Sequence, residues 1–136
     1  MTQSNGFDQS KYYEQIQKDG LLLTERAAER WSEAVLRSLS LNIDRGTKKR
    51  LAKALPETLA AGLTRTFWLL HFRDPNKSSE EFLKEIANRS GNTDAQFARM
   101  PTKAIFHQLK QMAGDDVSDD VSDSLAPEIR KLWQES

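Results

Sequence analysis

The residue types that most often do chemistry are sparse in this chain of 136 residues. Cysteine is absent, which excludes a disulfide framework, a thiolate nucleophile and a Cys-based zinc or iron–sulfur site. The two histidines, His71 and His107, lack a carboxylate or a second histidine at helical spacing, because Asp74 follows His71 across a break at Pro75. We interpret His71 as a helix end packed on aromatic residues and His107 as a residue on the outer flank of a helix.

The remaining polar residues give no catalytic pattern either. Acidic pairs such as Glu80 and Glu81 are adjacent in sequence, so their side chains diverge. The six glycines never have the spacing of a phosphate-binding loop or a dinucleotide fingerprint. We therefore predict that the protein is not an enzyme and uses no cofactor and no metal ion. A small hydrolase-like or ligand-binding activity without a recognisable motif stays open as an alternative.

The unusual feature of the sequence is the segregation of its charges. Lys plus Arg and Asp plus Glu each number 20, so the formal net charge is zero, which excludes strong attraction of the whole molecule to nucleic acid or an anionic membrane. A basic stretch, residues 45–53, contains only cations among its charged residues, and an acidic stretch, residues 115–123, contains only acids. The cations are Arg45, Lys48, Lys49, Arg50 and Lys53, and the acids are Asp115, Asp116, Asp119, Asp120 and Asp123.

The two stretches correspond when the sequence is compared with itself at an offset of 70 residues. The apolar positions then align without a gap over roughly fifty residues. Four charged positions reverse sign at this offset: Arg45 with Asp115, Lys49 with Asp119, Arg50 with Asp120, and Lys53 with Asp123. We predict two tandem pseudo-repeats, residues 10–72 and 78–134.

The elements that position these charges are predicted to be helices, because apolar residues recur at spacings of three and four in both units. The fold class is therefore all-α, a compact helical bundle with about four helices in each pseudo-repeat. Trp31, Trp68 and Trp133 are the expected large core residues.

Several residues mark the predicted helix boundaries. Helices begin at polar side chains that can accept backbone hydrogen bonds, and Pro56 both ends the third helix and opens the fourth. Pro101 is expected to kink or restart its helix, because an interior proline removes a hydrogen bond. The predicted caps are Ser10, Thr24 and Thr47 in the first unit, and Ser78 with Glu81 and Thr93 with Gln96 in the second.

The domain organisation follows from the same pattern. Residues 1–9 are predicted to form a disordered tail, and residues 10–134 a single helical domain with a linker at 73–78. No uncharged run approaches the ~18 residues of a membrane-spanning helix, and the first residues lack the features of a signal peptide. We expect a cytoplasmic protein.

Three groups of residues resemble a known family. They are a Glu-Phe-Leu opening at Glu81, a glycine followed by an acidic segment at 114–121, and a terminal run. That run is Leu125, Pro127, Glu128, Arg130, Leu132 and Trp133. Over residues 11–133 the chain resembles the uncharacterised bacterial proteins grouped as domain of unknown function 2267. The resemblance implies a compact helical fold, no known activity and no catalytic residue.

Three hypotheses account for the charged stretches. They are solvated helix faces, or they attract each other within the chain or between chains, or the basic stretch 45–53 binds nucleic acid. The last is less favoured, because no aromatic residue is interleaved and the acidic stretch repels a polyanion. Leu21 and Leu22 could add an apolar contact, and Leu23 is expected to pack against Ala28.

We predict a non-enzymatic protein–protein interaction or adaptor domain. The partner is another protein or a second copy of the chain, with no membrane involved.

Overall fold

The computed structural model describes residues 7–64, 74–91 and 94–136. In these ranges the chain forms eight α-helices and no strand, which confirms the predicted all-α fold class. The helices are α1 (Gln9–Asp19), α2 (Glu25–Leu41), α3 (Arg45–Ala54), α4 (Glu57–Thr64), α5 (Ser79–Ser90), α6 (Ala95–Ala113), α7 (Asp115–Ser124) and α8 (Pro127–Glu135).

The helix starts recur at a constant separation. The pairs α1 and α5, α2 and α6, α3 and α7, and α4 and α8 begin at residues 9 and 79, 25 and 95, 45 and 115, and 57 and 127. Each pair is therefore 70 residues apart. The packing has a matching pattern, since α2 contacts α5 and α1 contacts α6, while α2 contacts α6 and α3 contacts α7. The internal duplication itself stays a prediction.

The core is a single apolar cluster to which every helix contributes. Trp31 and Trp133 are buried in it, as predicted, whereas Trp68 lies outside the described residues. The rings of Phe82 and Phe106 are 6.0 Å apart and those of Phe106 and Trp133 are 4.9 Å apart. The Trp133 indole also donates to the Ser118 carbonyl at 3.1 Å, so its one polar atom is satisfied in the core.

Two predicted helix starts are confirmed. Thr24 accepts a hydrogen bond from the Ala27 amide at 3.0 Å, which caps α2. Ser78 and Glu81 form the predicted reciprocal capping box of α5, with distances of 3.0 and 2.9 Å. These caps satisfy amide groups that have no partner within the first turn of a helix.

Two other predicted caps are wrong. Ser10 lies inside α1, which is capped by Asp8, and Thr47 lies inside α3, which is capped by Asp44. Aspartate is an N-cap residue as good as serine or threonine. Each aspartate stands directly before its first helical residue, so its carboxylate reaches the amide three positions along the chain.

The predicted tail is shorter than residues 1–9. Phe7 packs against the core, and its ring lies 5.9 Å from the ring of Tyr12. Asp8 caps α1, and Gln9 is its first residue, so residues 7–9 belong to the folded domain. Residues 1–6 and the predicted cap Thr93 lie outside the described residues. In the structure, Asp94 caps α6 by accepting from the Gln96 amide at 2.9 Å.

The break predicted at Pro101 does not occur, since α6 is one helix of 19 residues. An interior proline costs a helix about 3 kcal/mol. Ile105, Phe106 and Leu109 on the same helix are fully buried, and burying each such side chain contributes about 1.5 to 3 kcal/mol. Tertiary burial therefore outweighs the local cost. The end of α1 packs on this point, because a Cβ added at Gly20 would lie 3.1 Å from the Pro101 Cα.

No helix within the described ranges is both long enough and apolar enough to cross a membrane.

The two units differ in one buried hydrogen bond. The Tyr12 hydroxyl lies 2.8 Å from the Ser32 hydroxyl, and burial raises the pKa of this phenol above its usual value. At the offset of 70 residues, the counterparts of Tyr12 and Ser32 are Phe82 and Thr102. Phenylalanine has no hydroxyl, and the buried Thr102 hydroxyl has no hydrogen-bond partner among the described residues.

We therefore expect Thr102→Val to stabilise the protein by about 1 kcal/mol, because it removes an unsatisfied buried hydroxyl with little change of shape. The measurement is the free energy of unfolding in urea. Ser32→Ala is the matched control and should destabilise the protein by about 1 to 3 kcal/mol, since it leaves the Tyr12 hydroxyl without its partner. A loss of stability in Thr102→Val would contradict this account.

Candidate functional site

The basic and acidic stretches form two helices that lie side by side. The basic stretch forms most of α3 and the acidic stretch most of α7, and the two helices contact each other. Leu51 of α3 and Val121 of α7 are fully buried. At 100° per residue, the positions two before and two after each of them point away from the core. On both helices the outward positions therefore carry charged residues.

One predicted charge pair is formed within the chain. The Arg50 Nε lies 2.9 Å from the Asp120 Oδ2, and the two side chains are 53% and 41% exposed. These residues are 70 positions apart, so each contacts its own counterpart. A contact of this kind is what an approximate twofold axis between α3 and α7 would produce.

A polar network extends this pair along the helix contact. Arg50 also donates to the Thr47 hydroxyl at 3.2 Å, and Thr47 donates to the Asp44 carboxylate at 2.9 Å. The Ser124 hydroxyl donates to the same carboxylate at 2.9 Å and accepts from the Asp44 amide at 2.8 Å. The network therefore joins the first turn of α3 to the last turn of α7, which makes the two helices antiparallel.

Lys48 is not on the predicted basic surface. It is only 7% exposed and lies on the inner side of α3. Burial lowers the pKa of its ammonium group below the usual value, and the neighbouring positive charge of Arg45 lowers it further. The structure thus removes Lys48 from the predicted set of partner-binding residues.

The other predicted charged residues are at the surface. We call the outer cations the basic strip and the outer acids the acidic strip, and both together the charged face. In the part of the chain that the structure describes, Lys49, Lys53, Asp119 and Asp123 make no ion pair. The basic strip consists of Arg45, Lys49 and Lys53, and the acidic strip of Asp115, Asp116, Asp119 and Asp123, all of them exposed.

The predicted apolar contact is reduced to one of its two residues. Leu22 is 8% exposed and belongs to the core, so it is not available to a partner. Leu21 is 70% exposed and has a φ of 57°, in the left-handed region that a leucine rarely adopts. Leu23 is 93% exposed, so its predicted packing against Ala28 is wrong. A cap residue follows it, but no core surface lies within its reach.

A groove of about 950 Å³ lies between α1, the turn from α3 to α4, and α6. Sequence reasoning missed it, because its walls come from segments far apart in the chain. His107 lies at this groove and is exposed, in agreement with its predicted position, whereas His71 is outside the described residues. Apolar lining comes from Phe7, Tyr12, Leu55, Pro56 and Met112, and polar lining from Lys11, Gln15, Lys53, Gln108 and Gln111.

The described residues contain no group of three or more His, Cys, Asp or Glu side chains that could hold a metal ion.

This arrangement defines an all-α domain with a two-signed surface and, over the described residues, no assembled catalytic group. The model of the uncharacterised conserved protein family DUF2267 matches residues 9–132. The chain therefore belongs to that family, which confirms the resemblance found in its sequence. No curated protein matches the chain.

The polar network predicts that Asp44 stabilises more than its own helix. Asp44→Ala should lower the free energy of unfolding by about 2 to 3 kcal/mol, because it removes a cap and also leaves Ser124 and Thr47 without their acceptor. Asp8→Ala, which removes a cap outside any such network, should cost about 1 kcal/mol. Urea unfolding of both variants checks this difference, and equal losses would show that the bond to α7 contributes nothing.

Lys48 predicts a pH-dependent effect. A lysine whose pKa is lowered in the folded state holds its proton less tightly than in the unfolded chain, so it destabilises the fold at neutral pH. Lys48→Met should stabilise the protein by about 1 kcal/mol at pH 7. This gain should shrink as the pH rises toward the unfolded value of 10.5.

The control for this prediction is Lys49→Met on the outer side of the same helix, which should change stability by no more than about 0.5 kcal/mol. Urea unfolding at neutral and alkaline pH gives both measurements. A Lys48→Met variant that is less stable than the wild type at neutral pH would contradict the prediction.

Proposed function

We propose that this protein is a non-enzymatic protein–protein interaction domain that binds its partner through the charged face of α3 and α7. The observation that carries the proposal is the position of the two strips. They lie side by side on antiparallel helices, with opposite signs, and both point away from the core. Such a surface would recognise a partner that presents the reverse arrangement of charges.

The outer charges contribute little to the fold, which supports a role in binding. The network through Asp44, Thr47 and Ser124 and the buried residues of both helices already hold α3 against α7. An exposed ion pair contributes only about 0.2 to 1 kcal/mol. Charges that add little to stability can still steer encounters and select partners, because electrostatic complementarity acts mainly on the association rate and on specificity.

Nucleic-acid binding through residues 45–53 is less well supported. Lys48 is buried, and Arg50 is bound to Asp120, so fewer cations are available to phosphates than the sequence suggested. The acidic strip lies directly beside the remaining ones and would repel a polyanion over a distance of about 10 Å at moderate salt.

Ligand binding is the second candidate, and the groove is the observation that favours it. Its volume is in the range of small-molecule sites, and it combines an apolar wall with amide and charged side chains. Among the described residues, His107 has no hydrogen bond to a carboxylate that would orient it as a base. The groove therefore supports binding of a ligand better than hydrolysis.

Reversal of the basic strip tests the proposal. Lys49→Glu with Lys53→Glu should leave the helical content unchanged, because both residues are exposed and make no ion pair within the described chain. Retention of protein partners should fall about tenfold or more, since the variant presents two acidic strips. The measurement is quantitative pull-down from cell extract at low salt, with circular dichroism as the check of folding.

The matched control is Lys84→Glu with Lys131→Glu, which changes the net charge equally at exposed positions on α5 and α8. This variant should bind as the wild type does. Equal binding by all three proteins would show that the charged face is not the binding surface. Tight binding of a mixed oligonucleotide by the wild type would favour the nucleic-acid alternative.

A further inference from the structure

We infer that the partner of the charged face is a second copy of this chain, bound through the same face. This inference rests on the proposed function and names its partner. A surface with a basic strip on one side and an acidic strip on the other is complementary to itself under one particular twofold rotation. The geometry of α3 and α7 allows that rotation.

The required axis runs parallel to the two helices and lies in the plane of the contact. Rotation by half a turn about it keeps the direction of each helix and exchanges left with right. The basic strip of each copy then faces the acidic strip of the other, and both contacts form at once. An axis at right angles to the helices would place like charges opposite each other, so electrostatics selects the first orientation.

The register of this contact follows from the register within the chain. Asp44, at the start of α3, bonds to Ser124 at the end of α7, and Arg50 bonds to Asp120 in the middle. The twofold rotation places α7 of the second copy against α3 in the same antiparallel register. Lys49 then lies nearest to Asp119 and Asp123 of the second copy, whereas Lys53 lies nearest to its Asp116.

The charge balance of the whole chain favours a second copy over a different protein. The formal net charge is zero, so two copies do not repel each other at long range. The unpaired charges of the face are also balanced in sign, and no strongly charged partner is needed to neutralise them. Each copy supplies what the other lacks.

The association should be weak and sensitive to salt. The exposed large apolar side chains of the described residues, Leu21, Leu23, Phe97 and Met100, all lie outside α3 and α7, so the contact depends on exposed ion pairs. We expect a dissociation constant of roughly 0.1 to 1 mM at low salt. It should weaken about tenfold or more when the salt concentration is raised from about 50 mM to about 500 mM.

Sedimentation equilibrium with four forms of the full chain tests this inference. The first is the wild type, and the second is Lys49→Glu with Lys53→Glu. The third is Asp119→Lys with Asp123→Lys, which reverses the counterpart positions on α7. The fourth combines all four substitutions, which exchanges the two strips and keeps the net charge at zero.

The expected result has three parts. The wild type and the fourth form associate with similar strength, the second and third forms alone are monomeric, and an equal mixture of the second and third forms associates. A net-charge effect alone would not give this pattern, because it would not restore association in the fourth form. Circular dichroism confirms that each form is folded before it is compared.

Two outcomes would overturn the inference. One is a wild type that stays monomeric up to about 1 mM chain at low salt, and the other is a mixture of the second and third forms that does not associate. If the wild type is monomeric but its pull-down still depends on Lys49 and Lys53, the proposed function survives and its partner is a different protein. If neither measurement responds to the reversals, both fail.

Discussion

The structure depends on the packing of one long helix through the core. Helix α6 contacts α1, α2, α3, α5, α7 and α8, and it does so as a continuous element despite the proline in its second turn. The burial of its apolar side chains holds α6 straight through a residue that would end a helix in solution. A helix that stopped at Pro101 could not join the end of α1 to the start of α7, and the two charged helices would lose their common support.

The contact between α3 and α7 separates two roles that charged and polar residues often share. The residues that hold the helices together form short side-chain bonds and are mostly shielded from water, as Thr47 and Ser124 show. The outer lysines and aspartates add little to that contact, because water and salt weaken exposed charges. The fold therefore does not need their signs, and they are available to select a partner. This separation is why the strips can be reversed without unfolding the chain.

Local rules predicted most of the helices but not every boundary. They identified Thr24 and the Ser78 capping box, because a good acceptor there precedes a clear apolar pattern. They misplaced the caps of α1 and α3, since an aspartate two or three residues earlier competes for the same amide groups. At residues 21–23 three leucines look alike in sequence, yet only Leu22 points into the core. The direction of the chain in a loop is set by the helices that it joins, and sequence spacing does not specify it.

By itself, the sequence determined the helical class, the approximate extent of each described helix, the family and the opposite charge of two equivalent segments. These features depend on residues close together in the chain, through apolar periodicity, capping and composition. Only the tertiary structure decided that the charged segments lie beside each other, that Arg50 meets Asp120 while Lys48 is buried, and that a groove opens beside His107. Those facts depend on which residues distant in sequence approach in space, and that approach is settled by the packing of the whole core.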